Sequence, residues 1–286
     1  MTGGAEVHAT IGAEFFTDNT IVIEGGRGVG RVTKPGLAVP VGEWAINPVP
    51  RRMILEGVRE VFAMRCMPVR LTVTISIPNG EELAQKTLNR RLGIVGGLSV
   101  LGTTGVVRPV SAQAWTDTID TAIDVALACG SREVVLSTGR SSEVVAQRHL
   151  GATGSPPEEA FVMMGDHVGY ALRACARKGV SRIVIAGQFA KLLKIACVHE
   201  QTHVSSAELD LRMLGEWLAG TPAAGRLIPL VARANTARQV LEESRGDRLL
   251  VETVCARTRA FAEALVPEGE LKVLLAGYGG EVLYFG

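Results

Sequence analysis

The chain has 286 residues, 47% hydrophobic and 21% charged, with 30 Lys+Arg against 29 Asp+Glu for a formal net charge of +1. That length can bury a sizeable core in one large or two ordinary domains, and the balanced charge gives no field of one sign for a nucleic acid or an anionic membrane. No apolar run reaches the roughly 20 residues of a bilayer span, and "MTGGAEVHATIGAEFF" has neither a basic leader nor an apolar h-region, so the sequence reads as cytoplasmic.

Residues 1–95 mix short strand-like runs with glycine turns: "EVHATI", "NTIVIEGG" and "VRLTVTISIP", the last dense in β-branched residues. Between them "PVPRRMILEGVREVFAM" predicts a helix, with Pro48 and Pro50 suited to a first turn and Met53, Ile54, Val58, Val61 and Phe62 at helical spacing. This portion is expected to be α+β. "GGRGVGRVTKPGL" places Arg27, Arg31 and Lys34 among glycines, as in a surface hairpin or a clamp for an acidic ligand.

"RLGIVGGLSVLGTTGVVRP" follows, with Gly93, Gly96, Gly97, Gly102 and Gly105 among small and β-branched residues. It has neither the G-x-G-x-x-G of a dinucleotide site nor the G-K-[ST] of a P-loop. Its clustered N–H donors, with the hydroxyls of Thr103 and Thr104, suit a carboxylate or phosphate; a tight bulged connection between two halves uses glycine equally well.

From Trp115 the order becomes helix, strand, glycine turn. "WTDTIDTAIDVALACG" is a helix closing on Gly130, and "REVVLSTGR" a buried strand with its turn. "SPPEEAFVMMGDHVGYALRACARKG" predicts a second helix opened by a Ser155/Glu158 capping box, before the strand "SRIVIAG". "DRLLVETVCARTRAFAEAL" and "LKVLLAGYGG" repeat the unit near the end. Helices preceding continuous apolar strands predict a Rossmann-like parallel sheet with flanking helices over 96–286, so the fold class is α/β. Ligands gather at the carboxyl ends of such strands, here "STGR", "AGQ" and "AGYGG". Cys66, Cys129, Cys175, Cys197 and Cys255 are scattered and read as buried thiols.

"CVHEQTHVSSAELD" contains His199-Glu200-x-x-His203, the spacing of many zinc peptidases. Two imidazoles reach one metal only on an unbroken helix, and Ser205 with Glu208 forms a capping box that starts a new helix at Ser205 or Ser206. That leaves His199 at the end of "FAKLLKIAC" and His203 in the joint, as a loop hydrogen-bonder or as a functional group without metal.

Seven blocks in order, "GRGVGRVTKPGL", "VGEWAINPVPRRMI", "IPNGEELAQKTLNRRLGIVGGLSVLGTTGVV", "VVLSTGRSSE", "MGDHVGYALR", "GQFAKLLKIACVHEQTHVSSAELDLRML" and "NTA", resemble the cobalt-precorrin-5B C1-methyltransferases, the CbiD family. The likeness runs through almost the whole chain, and Thr202-His203 and Asp210 fall in a block that recurs in that family. Members carry a further amino-terminal segment, and this chain is expected to begin after it, at "MTGGAEV".

The resemblance implies S-adenosyl-L-methionine as methyl donor and a cobalt-containing tetrapyrrole as substrate, converted to cobalt-precorrin-6A in anaerobic cobalamin biosynthesis. Cobalt would arrive within the substrate, with no protein-bound metal. On that reading the donor is assigned to Gly96, Gly97, Gly102, Thr103, Thr104 and Gly105 and to Ser137, Thr138, Gly139 and Arg140. The substrate's carboxylate arms are assigned to Arg31, Lys34, Arg51, Lys191 and Lys194. His203, oriented by Asp210, would position a propionate or accept a proton. A homo-oligomer or a contact with neighbouring pathway enzymes would add protein partners. The competing readings are a noncatalytic corrinoid-binding protein and a zinc peptidase.

Overall fold

The computed structural model describes residues 4–15, 20–62, 69–101, 112–151, 156–206 and 209–286. The chain forms two compact units, Met1–Ser111 and Ala112–Gly286.

In the first unit, β1 (His8–Phe15), β2 (Thr20–Gly25) and β3 (Arg31–Val32) precede helix α1 (Pro48–Phe62), followed by β4 (Val69–Ser76), α2 (Gly80–Ala84) and β5 (Ile94–Val95). β4 is the central strand of a three-stranded sheet, antiparallel to β1 and parallel to β2. Alternate residues Leu71, Val73 and Ile75 of β4 point into a core with Ile23, Val29, Ile46, Val58 and Leu98, as expected of a strand with one covered face. α1 adds Ile54, Leu55 and Phe62 to that core, while its Met53 and Val61 stay exposed. β3 and β5 pair antiparallel, and single bridges join Val29 to Leu98 and Ile46 to Val100. Residues 96–101 therefore belong with the first unit, which runs past the boundary at 95 suggested by composition.

The second unit runs α3 (Ala112–Ala128), β6 (Glu133–Ser137), α4 (Arg140–Gly151), a 3-10 turn at Glu158–Ala160, β7 (Phe161–Met163), α5 (Val168–Arg177), β8 (Arg182–Gln188) and α6 (Phe189–Ala196). Then come α7 (Leu211–Leu218), α8 (Ala224–Arg233), α9 (Ala237–Glu243), α10 (Arg248–Leu265), β9 (Glu270–Ala276) and β10 (Val282–Phe285). Its sheet has the order β10-β9-β8-β6-β7, parallel except for β10 at the edge. Val135, Val184, Ala186 and Leu274 pack with Val145 and Ala146 of α4. The alternate residues Val134, Leu136, Ile183, Ile185, Val273 and Leu275 are equally buried, with α3 against β7, α6 against β8 and α10 against β9. Strands buried on both faces read as continuous apolar runs, which is why β6, β8 and β9 are recognisable in the sequence.

The fold class is the expected α/β, with three corrections in detail. Residues 155–179 are not one helix. Pro157 is extended, and Phe161–Met163 pair in parallel with Val135–Ser137, so a buried ladder overrides helical propensity. Ser155 lies outside the described residues, and Glu158 opens the 3-10 turn instead of closing a capping box. The helix expected from Ser205 begins at Leu211, because Asp210 supplies the cap by accepting from the Arg212 N–H. Cys175 and Cys255 are buried, and burial pushes both thiols up to about 12; Cys129 is exposed and Cys197 half-buried. Cys66 lies outside the described residues. Among the described residues no helix is long and apolar enough to cross a membrane.

Candidate functional site

The chain enters the second sheet at β6, lays β7 on one side of it and β8 on the other, so the strand order reverses between β6 and β8. The crevice outside the carboxyl ends of these strands is where a doubly wound sheet binds its ligands. Three loops meet there.

The first is the turn Thr138–Gly139 between β6 and α4. The Thr138 N–H donates to Ala186 O at 2.9 Å, tying the turn to β8. Ser142 Oγ and the Glu143 N–H both donate to Gly139 O, at 2.9 and 3.0 Å, which locks the first turn of α4. Arg140 extends into solvent and pairs with the buried Glu143 at 3.2 Å. Ser137 Oγ is fully enclosed and makes no hydrogen bond among the described residues, a costly state for a hydroxyl at the end of a strand.

The second loop, Met164–His167, leaves β7. Met164 and Gly165 N–H both donate to Ser137 O, at 3.0 and 3.2 Å, so this loop and the first are fastened at one carbonyl. Asp166 then reaches across to the third loop, residues 198–206 beyond α6.

Thr202, fully buried, is the junction. Its Oγ1 donates to Asp166 Oδ1 at 2.6 Å and its N–H to Asp166 O at 3.1 Å. Its carbonyl accepts from Lys191 Nζ at 3.2 Å and from Lys194 Nζ at 3.0 Å. Lys191 Nζ also pairs with Asp166 Oδ1. Burial raises the Asp166 carboxyl, but the hydrogen bonds of Lys191 and Thr202, with the charges of Lys191 and His203, outweigh it and hold the group below the ordinary aspartate range. Burial lowers the Lys194 ammonium, helped by the charge of Lys191 and opposed by Asp166. The network thus carries two cations against one carboxylate, a local excess of positive charge beside the crevice.

His203 is exposed, and its Nδ1 takes Ser205 Oγ at 2.8 Å and the Ser205 N–H at 3.3 Å. Nδ1 is then the acceptor, leaving Nε2 for other partners. Asp210, expected to orient His203, instead caps α7 and binds the Arg212 guanidinium through both oxygens, at 3.1 and 3.0 Å. Ser205 does the orienting.

His199-Glu200-x-x-His203 does not form a metal-binding helical face. α6 stops at Ala196, and Val198 turns the chain with φ 66°. Glu200 is held by Arg173 through both carboxylate oxygens. Among the described residues no group of three or more His, Cys, Asp and Glu could hold a metal ion.

The expected residues of the first unit have local partners. Gly97 packs on the backbone of Gly28, whose carbonyl oxygen would lie 2.2 Å from any Cβ at 97, so this glycine serves close approach. Gly96 is exposed. Arg31 lies 3.9 Å over the Trp44 ring and donates to Gly42 O, while Arg51 donates to Ile46 O and Trp44 O, so both cations flank one loop. Lys34 donates to Arg91 O at 3.2 Å. Gly102, Thr103, Thr104 and Gly105 lie outside the described residues.

Asp166 is not legible in the sequence because the strand before it reads as part of a helix. The signal lay in "MMGD", where a glycine follows a short apolar run and opens a loop rather than continuing a turn.

A family model described as CbiD matches residues 1–109, and one described as CbiD, C-terminal domain, matches residues 201–285. The cobalt-precorrin-5B C(1)-methyltransferase of Geotalea daltonii is 65% identical over 289 residues, covering 100% of this chain and 80% of that protein. The protein of the same name from Geobacter sulfurreducens is 67% identical over 290 residues, with the same coverage of 100% and 80%. Against the crystal structure of a cobalamin biosynthesis protein (cbiD) from Archaeoglobus fulgidus the identity is 30%, over 68% of this chain and 57% of that one, with a TM-score of 0.30.

Proposed function

The chain belongs to the CbiD family, and on that premise we infer that it is a transferase that methylates C1 of cobalt-precorrin-5B in cobalamin biosynthesis, with S-adenosylmethionine as donor. The observation that carries the reading is 65% identity to a protein of that name along the full length of this chain.

The residues at the crevice fit such a donor. A methionine-type carboxylate needs N–H, hydroxyl or cationic partners; Thr138, Arg140 and the enclosed Ser137 hydroxyl lie at the carboxyl end of β6, and Lys191 stands beside the loop from β7. When bound, the donor supplies an electrophilic methyl group on a sulfonium. The protein's own task is to hold donor and ring carbon in line and to exclude water, since positioning contributes much of the rate in such a displacement. The macrocycle's carboxylate arms are assigned to Lys191 and Lys194, which flank the loop that carries Thr202. His203, whose Nδ1 accepts from the Ser205 N–H, carries its proton on Nε2 and offers that N–H to a carboxylate arm. Cobalt enters with the substrate.

The test is transfer of a labelled methyl from S-adenosylmethionine to the cobalt-containing macrocycle, in the parent chain and in Lys191→Met. Label in the macrocycle, reduced in the variant, is the expected result. Macrocycle binding without transfer would establish the noncatalytic corrinoid-binding reading instead.

A further inference from the structure

We propose that the indole ring of Trp115 is the stacking surface for the purine of the methyl donor, an assignment that rests on the donor reading above. Trp115 lies in the first turn of α3 and is 42% exposed, whereas Trp44 and Trp217 are half-buried. Exposure of one large side chain means little by itself. What distinguishes Trp115 is how firmly the exposed ring is held.

Its Nε1–H donates to Met164 O at 3.0 Å. Gly165 follows, with φ +58°, and a Cβ there would sit 2.9 Å from ring atom Cζ2 and 3.2 Å from Cε2. The ring is therefore laid directly on backbone, which only a glycine permits. The His167 imidazole stacks alongside, with centroids 6.3 Å apart and planes at 29°, and is itself held by Gln201 at 2.9 Å. An aromatic surface fixed in this way loses little freedom when a ligand covers it, which is the condition for stacking to contribute to affinity.

Its place in the fold selects the ligand. Met164 and Gly165, which hold the ring, both donate to Ser137 O, so the indole is tied through them to the residue that opens the turn Thr138–Gly139–Arg140. Asp166, the next residue, leads into the Lys191–Thr202 network. A flat apolar surface beside hydroxyls and cations matches a ligand with one planar heterocycle and a charged tail. A purine nucleoside joined to an amino acid has that form. A single indole matches the footprint of a purine, whereas a macrocycle edged with carboxylates calls first for cations.

The test is titration of S-adenosylhomocysteine into the full 286-residue chain, followed by calorimetry and by tryptophan emission, for the parent, Trp115→Phe and Trp115→Leu. Parent binding with saturable quenching is expected. Leucine should weaken binding about tenfold, within the range of a lost base–aromatic stack. Phenylalanine keeps a ring, so the heat of binding should persist while the quenching disappears; this variant keeps the test valid if the leucine form does not fold. Full quenching in Trp115→Phe, or parent-like affinity in a folded Trp115→Leu, would overturn the stacking role and leave the donor reading standing. No binding by the parent chain would overturn both.

Discussion

The three-stranded sheet of the first unit and the five-stranded sheet of the second treat their strands in opposite ways. In the second unit, Val134, Val135 and Leu136 of β6 and Ile183, Val184 and Ile185 of β8 are buried in succession, because helices cover both faces. In the first unit only alternate residues of β4 are buried, and β1 is exposed along its whole length. A strand covered on both faces is a rigid support. The loops leaving β6 and β7 are fastened to each other at Ser137 O, and that rigidity lets a buried Thr202 and a half-buried Asp166 meet with short, repeated hydrogen bonds. Placement of the candidate site at the second sheet follows from this difference, since a positioned constellation needs support that does not give.

The largest effect expected from the contrast is in the second sheet. Ile185→Ala, at a fully buried position of β8, should lower unfolding stability by about 2–5 kcal/mol through lost transfer energy and the cavity left behind. Urea unfolding measures it. A cost near zero would mean that β8 is not covered at this face, and the contrast would fail.

Thr202→Val tests whether the network depends on that support. The substitution keeps the shape and removes the hydroxyl that donates to Asp166, so a loss of about 1–3 kcal/mol is expected, as for a hydrogen bond to a charged group. Methyl transfer should fall with it, because the same residue carries the loop that presents His203. Stability that drops while transfer is untouched would make the network structural only.

A smaller effect is expected from acid. The Asp166 carboxyl is held below its ordinary value, so its contribution is fully present above the unfolded pKa of about 3.9 and is lost as pH falls through the folded value. The stability difference between the parent and Asp166→Asn should therefore be constant near neutrality and shrink below about pH 4. A difference that instead grows on acidification would reverse the assigned direction.

What the sequence reveals follows the same division. β6, β8, β9 and α10 are legible because burial on two faces or along one helical stripe leaves a periodic record. β7 is not, since three residues between a Pro-Pro pair and a glycine carry too short a pattern, and its loss hides Asp166. The start of α7 is ambiguous for another reason. Ser205 and Asp210 both satisfy the rule for a helix cap, and the choice is made by Ser205 turning to His203. Thr202 and Asp166 lie 36 positions apart, so no spacing rule links them. The position of the turn "STGR" at the end of a strand is readable because a continuous apolar run precedes it.

β1 provides the smallest effect and the sharpest test of the comparison. Ile11 is paired directly with Val73, and directly opposed residues share a face of the sheet. Val73 is 2% exposed and Ile11 48%. The same apolar face is thus covered at the centre of the sheet and open at its edge. Ile11→Ser should change stability by no more than about 0.5 kcal/mol, the range of an exposed position, whereas Leu71→Ala, on the covered strand beside it, should cost about 2–5 kcal/mol. If Ile11→Ser costs as much as Leu71→Ala, the face of β1 is covered in solution, and the two sheets differ in what lies over them rather than in how they are built.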